Sequence, residues 1–179
     1  MSRSFLYLGL SGLAGLSLVL SDLPKADLAM AEVVQPVPTE NQMIPSDEAQ
    51  IRQLTSQWFA TWSPGPNPMD WDAMGELFAQ SELLVFDDAG GRVVVLTSWD
   101  DYRATWEPFM AQFSEWQIEP EGDIQVRVAG DLATTVFTLT GGGIDQEGNA
   151  ISFRQRGTHI WQRTGDRWAI VHEHLTTDS

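Results

Sequence analysis

From Ile124 to Thr176 the chain reads as strand after strand with only short turns between, which leaves few ways to fold it. Ile124, Val126 and Val128 alternate with polar residues, and Ala129-Gly130-Asp131 turns the chain. Leu132 to Thr140 is a β-branched and aromatic run, and Gly141 to Gly148 reads as a loop. Residues 149–163 and 167–176 then form a hairpin around Gly165-Asp166. Strands joined this closely pair antiparallel, and the resulting sheet must have one face covered.

The cover lies upstream. Ser46 or Asp47 can cap a helix whose apolar positions are Ile51, Leu54, Trp58 and Trp62, spaced by three and four. The run Ser63-Pro64-Gly65-Pro66-Asn67-Pro68 stops it. A second helix is expected to about Gln80, with Trp71, Met74, Leu77 and Phe78 on one face. Leu83–Phe86 and Arg92–Thr97 are short β-type runs around Asp87-Asp88-Ala89-Gly90-Gly91, a hairpin pattern. Ser98 starts a third helix, with Asp101 at the capping-box position and a stripe of Trp99, Tyr102, Trp106, Phe109, Met110 and Phe113. Pro108 falls inside that stripe and predicts a kink. The element order is therefore α-α-β-β-α-β-β-β-β, an α+β domain with three helices packed on a curved antiparallel sheet.

That domain occupies residues 47–179. Ahead of it, Arg3 precedes an uncharged apolar run, Phe5–Leu20, and Ala29-Met30-Ala31 offers a small-x-small cleavage site. This is the layout of a secretory signal peptide over residues 1–31, so an exported protein, periplasmic or secreted, is expected. Asp22, Lys25 and Asp27 make its c-region long and charged, and an uncleaved anchor is the alternative. Residues 32–46 carry three prolines and no apolar period, and read as a linker.

Composition closes off several classes. There is no cysteine, which removes disulfides, thiol catalysis and Cys-ligated metals. Net charge is −15, and nucleic acid or an anionic membrane would need a basic face instead. Gly141-Gly142-Gly143 has no lysine or helix start after it and makes no phosphate loop. No serine stands in a nucleophile-elbow context.

Three histidines occur, all in the last hairpin. Alternation puts His159 on one face with Ile151, Phe153 and Trp161, toward a buried surface. His172 and His174 share a face of the final strand, with Glu173 on the other. A two-residue Gly165-Asp166 turn sets His159 opposite His172, gathering imidazoles that suit zinc or copper. A three-residue loop with a bulge shifts the pairing by one and brings Glu173 or Val171 to His159 instead. Eight tryptophans follow residue 57, more than a tightly packed small core needs, so some should wall a cavity; Trp62, Trp106 and Trp161 are the best placed.

The closing hairpin, Arg156-Gly157-Thr158-His159-Ile160-Trp161-Gln162-Arg163 and Arg167-Trp168-Ala169-Ile170-Val171-His172-Glu173-His174-Leu175-Thr176, resembles that of the SnoaL-like branch of the nuclear-transport-factor-2-like superfamily. It is also similar to the association domain of calmodulin-dependent kinase II, where a tryptophan precedes a His-x-His. Asp101-Tyr102-Arg103 through Trp106-Glu107-Pro108-Phe109 is similar to the third helix of the same branch. The resemblance spans about residues 47–177 and implies a cone-shaped fold with an internal pocket and a homodimer through the sheet. It implies no metal and no cofactor.

Within that frame Trp62, Tyr102, Trp106 and Trp161 are candidate ligand contacts, as are His159, His172, Glu173 and His174. Asp87 follows Leu83-Leu84-Val85-Phe86, a stretch similar to the one carrying the general-base aspartate of ketosteroid isomerases, although Asp87-Asp88-Ala89-Gly90-Gly91 is equally good turn chemistry. Three functions remain open: non-catalytic binding of an apolar or aromatic small molecule, an isomerase- or cyclase-type enzyme with Asp87 or His159 as base, and a homo-oligomeric assembly module.

Overall fold

The computed structural model describes residues 45–88 and 92–178, all within one unit, Gln42–Ser179. The leader expected over 1–31 lies outside the described residues, as does the linker up to residue 44. Three helices and six strands follow in the expected order: α1 Asp47–Thr61, α2 Trp71–Gly75, β1 Leu84–Asp88, β2 Val93–Leu96, α3 Trp99–Met110, β3 Phe113–Ala129, β4 Leu132–Asp145, β5 Ala150–Thr164 and β6 Arg167–Thr177. Each helix starts where a short polar side chain takes up a free backbone N–H. Ser46 accepts from Ala49, Asp70 from Ala73 and Ser98 from Asp101.

One six-stranded sheet runs β2-β1-β6-β5-β4-β3. The β3–β4–β5–β6 meander is antiparallel throughout, whereas β1 lies parallel to β6, with Val85 beside Glu173. Alternation holds along the meander: Ala133, Thr135, Phe137 and Leu139 of β4 face inward, as do His159 and Trp161 of β5 and Trp168, Ile170, Glu173 and Leu175 of β6. The helices cover this face with Ile51, Trp58 and Phe59 from α1, Trp71 and Met74 from α2, and Trp99, Tyr102 and Trp106 from α3. Burying a large apolar side chain contributes about 1.5–3 kcal/mol, so this aromatic layer carries much of the stability.

Four local expectations are corrected. The second helix stops at Gly75 rather than Gln80, because residues 77–79 join the sheet: Ile170 donates to the Leu77 carbonyl at 2.8 Å and Ala79 to the Ile170 carbonyl at 2.9 Å. Phe113 leaves the third helix for β3, and Pro108 stands in the last turn, two residues before the helix ends at Met110. β3 begins eleven residues before Ile124 and carries Pro120, which an edge strand tolerates because only one side pairs. Gly141-Gly142-Gly143 is the continuation of β4 and not a loop.

The glycines of β4 have a packing reason. A Cβ on Gly141 would stand 2.4 Å from the Phe153 ring, and one on Gly143 would stand 2.8 Å from the Trp116 ring. Their absence lets two aromatic side chains lie down on the sheet. Phe153 and Trp116 stack there with centroids 5.2 Å apart and planes 27° from parallel.

Candidate functional site

A cavity of about 260 Å³ opens between the helices and the inner face of the sheet. Its walls are aromatic. Trp58 and the cap residue Trp62 come from α1, Trp106 and Phe109 from α3, Trp116 from β3 and Phe153 from β5. The rings form a continuous chain: Trp58–Trp62, tilted, at 6.4 Å, then edge-to-face pairs Trp62–Trp106 at 6.3 Å, Trp106–Phe109 at 5.5 Å and Phe109–Trp116 at 5.6 Å. Trp116 is held in register by a bridge to Gly65, with reciprocal backbone bonds of 3.0 and 3.1 Å. Leu139, Ile118 and Leu175 complete the apolar floor.

Asp87 is the buried acid of this wall. It projects inward from β1 and is only 7% exposed, rather than turning out with the hairpin. Its Oδ1 has no hydrogen-bond partner among the described residues. Burial pushes its pKa well above the usual carboxylate range, and the negative charge of Glu173 adds to the rise. Such an acid can hold a proton at a pH where an ordinary aspartate has lost it. At the mouth, Thr177 Oγ1 donates to the Asp88 carbonyl at 3.1 Å and so ties the end of β1 to β6.

Behind the wall lies a second, fully buried polar group. Tyr102 Oη donates to Glu173 Oε1 at 3.1 Å, and His159 Nε2 stands 3.1 Å from Glu173 Oε2, off the line of a hydrogen bond. Trp58 and Phe137 pack edge-on against the imidazole, with centroids at 4.8 and 4.9 Å. Burial, and then the charge of Glu173, hold the Tyr102 phenol well above its ordinary pKa, so it remains a donor. Gly157 makes this packing possible, since a Cβ there would stand 2.3 Å from the Phe137 ring.

The last hairpin has the turn of one register considered from sequence and the one-residue shift of the other, with the shift made within the strands rather than at the turn. Its turn is the two-residue kind, pairing Thr164 with Arg167, but a bulge between Ile160 and Trp161 absorbs Val171 and shifts everything beyond it. Glu173 therefore stands opposite His159, and the gathering of imidazoles does not form. His172 and His174 face the other side of the sheet, flanking Phe86 with centroids at 5.9 and 6.2 Å. Among the described residues no group of three or more His, Asp or Glu side chains could hold a metal ion.

Of the residues singled out from sequence, Trp62, Trp106 and Asp87 line the cavity. Tyr102, His159 and Glu173 meet one another behind it. Trp161 is buried in the core and donates to Thr135 Oγ1 at 3.3 Å, so it is not a cavity wall. Trp116 and Phe153 were missed as walls. Trp116 and Ile118 stand two apart, a strand signal that Pro120 and Gly122 immediately obscure.

The helix order, the sheet order and the enclosed cavity define an α+β cone of the nuclear-transport-factor-2-like class. The SnoaL-like domain profile matches residues 51–177, and the chain belongs to that family. Similar solved structures include a nuclear-transport-factor-2-like superfamily protein from Salmonella enterica serovar Typhimurium, at 17% identity and TM-score 0.65 over 74% of this chain and 91% of that one. The CaMKII hub of S. rosetta matches at 15% identity and TM-score 0.59 over 75% of this chain and 100% of the hub chain. A hexachlorocyclohexane dehydrochlorinase matches at 11% identity and TM-score 0.58 over 72% and 83% of the two chains. At these identities the likeness is one of fold. The search of curated proteins finds no match.

Proposed function

We propose that this chain is a small-molecule-binding protein that takes an apolar or aromatic molecule into its tryptophan-walled cavity. One observation carries the reading: a cavity of about 260 Å³ walled chiefly by aromatic and aliphatic side chains, with the buried Asp87 and a few other polar residues, Asp88, Ser152, Gln155 and Thr177, in its lining. Ligand sites have this composition, mostly apolar with a few placed polar groups, and the size is just below their usual range of about 300–1,000 Å³. Titration with the bicyclic hydrocarbon tetralin, followed by tryptophan emission, tests it. Saturable change in the emission is expected, and its absence up to the solubility limit overturns the reading.

A second reading has a specific observation in its favour. Asp87 is the kind of acid a proton-abstracting enzyme places at its cavity, because a raised pKa makes a base able to accept and return a proton near neutral pH. Deuterium uptake at the carbon next to the carbonyl of 1-tetralone in D2O decides between the two. The binding reading expects the uncatalysed rate; acceleration that disappears in Asp87→Asn establishes the enzyme. His159 has no place in the cavity lining, so Asp87 is the base to test.

Two further parts of the account are proposals. Export of the chain is supported by the apolar run Phe5–Leu20 and the Ala29-Met30-Ala31 pattern. N-terminal sequencing of protein from its host should begin at Glu32. A homodimer through the outer face of the sheet is supported by the exposed apolar residues Leu84, Val93, Val95, Leu132 and Val136.

A further inference from the structure

The charged side chains around the cavity are of one sign. Asp87 and Asp88 stand in its lining, and among the described residues that line it there is no lysine, arginine or histidine. Glu173 lies close enough for its negative charge to act on Asp87. The titratable groups facing Asp87 are thus Glu173 of β6, Tyr102 of α3 and Asp88 of its own strand. His159 of β5 can carry positive charge, but it stands against Glu173, outside the lining. Arg154 and Arg156 of the same strand are engaged by Glu121 and Asp178.

Interiors normally pair the acids they bury. Asp87 is 7% exposed, and its Oδ1 has no hydrogen-bond partner among the described residues. A charge held in the cavity acts on this carboxyl through space, without touching that oxygen, because apolar surroundings screen it little. The walls favour the same sign of ligand. Aromatic rings attract cations, tryptophan most of all, and the lining supplies Trp58, Trp62, Trp106 and Trp116 with Phe109 and Phe153. An anion would meet carboxyls and no counter-charge, and a hydrocarbon would leave the acid as it is.

We infer that the cavity takes an organic cation, an aromatic molecule carrying a quaternary or protonated ammonium group, with Asp87 as its counter-charge. This rests on the binding reading above and specifies its ligand class. Protonation is then coupled to binding. In the free chain burial raises the Asp87 pKa, whereas a bound cation favours the ionised form. Binding therefore releases a proton, and affinity rises with pH through the raised Asp87 value. An opposite charge close to a carboxyl changes its ionisation by about tenfold to a thousandfold, and linkage gives the cation the same gain.

The test uses two probes of the same shape on the full chain, phenyltrimethylammonium and tert-butylbenzene, which differ by a single charge. Each is titrated by tryptophan emission between about pH 4 and about pH 9, a range that starts at the ordinary aspartate value. Calorimetry in buffers of different ionisation enthalpy counts the protons released. Affinity for phenyltrimethylammonium should rise at least about tenfold across the range, with proton release, while that for tert-butylbenzene does not rise. Asp87→Asn, which removes a buried acid and keeps its shape, should flatten the rise and abolish the release. The general attraction of an acidic chain for cations survives that substitution and is screened by molar salt, so it is read separately.

Phenyltrimethylammonium that fails to bind, or whose affinity is indifferent to pH or varies alike in Asp87→Asn, overturns the cation assignment. Saturable binding of tert-butylbenzene in that case keeps the binding reading intact. If neither probe binds, both readings fall together.

Discussion

Asp87 and Glu173 put two acids on the inner face of one sheet, and their surroundings give them different work. Glu173 accepts the Tyr102 hydroxyl behind the wall, while Asp87 stands in the cavity lining with one buried oxygen that has no hydrogen-bond partner among the described residues. Because the folded chain raises the Asp87 pKa, the stability tied to this residue is complete below its unfolded pKa of about 4 and is lost as pH rises through the higher folded value. Asp87→Asn should therefore melt above the parent at pH 7, with the difference vanishing below about pH 4; a scan of melting temperature against pH checks this. Glu173→Gln, by removing a nearby charge, should move the Asp87 titration downward when followed by carboxyl carbon NMR, yet leave it raised, since burial is the larger cause. Glu173→Ala strands the Tyr102 hydroxyl and opens a hole, and should cost about 2–4 kcal/mol in urea unfolding. The sequence could not reveal which way Asp87 points, because an Asp-Asp-Ala-Gly-Gly turn and an inward-facing acid are written with the same letters. Residue chemistry alone also could not place Glu173 against His159.

That pairing is decided at the level of the element, by the single extra residue that β6 accommodates at Val171. Strand alternation was legible along 149–163, where His159 and Trp161 fall on one face with Ile151 and Phe153, so the inward face of β5 could be read directly; Leu132–Thr140 read only as a β-branched and aromatic run, whose inward face its letters do not mark. It was not legible at Gly141–Gly143, since glycine signals a loop when seen locally and a site of close approach only when the facing ring is known. The same holds for Phe113–Asp123, where Pro120 and Gly122 mask a bulged edge strand. Gly141→Ala is the sharpest probe of this reasoning. Its methyl group must displace Phe153 or Ile118, so it should cost about 1–3 kcal/mol and weaken tetralin binding, because Phe153 lines the cavity. Chemical unfolding and the emission titration measure the two effects separately. A neutral outcome in both would mean that Phe153 does not shape the cavity.

The whole molecule adds two surfaces of opposite character. The outer face of β3 carries Glu115, Glu119 and Glu121, exposed acids that guard an open edge against further strands. The outer face around β1, β2 and β4 instead shows Val93 at 69% and Val95 at 54% exposure, with Leu132 and Val136 about half exposed. A dimer built on this face should break to a monomer in Val95→Glu with no loss of tetralin binding, as read by light scattering after size exclusion. At this scale the order of elements was plain from sequence, because each turn and cap had a chemical signature. The cavity was legible only in part: Trp62 and Trp106 could be read as walls from the excess of tryptophan, but Trp116 and Phe153 could not, because the space exists only where α1, α3, β3 and β5 meet. Native mass spectrometry of the protein purified from its own host tests the central claim most directly. The account predicts a retained apolar or aromatic small molecule of one or two rings, released when the chain is denatured. Protein that carries nothing, even when extracted without organic solvent or detergent and offered its host's small-molecule extract, would contradict it.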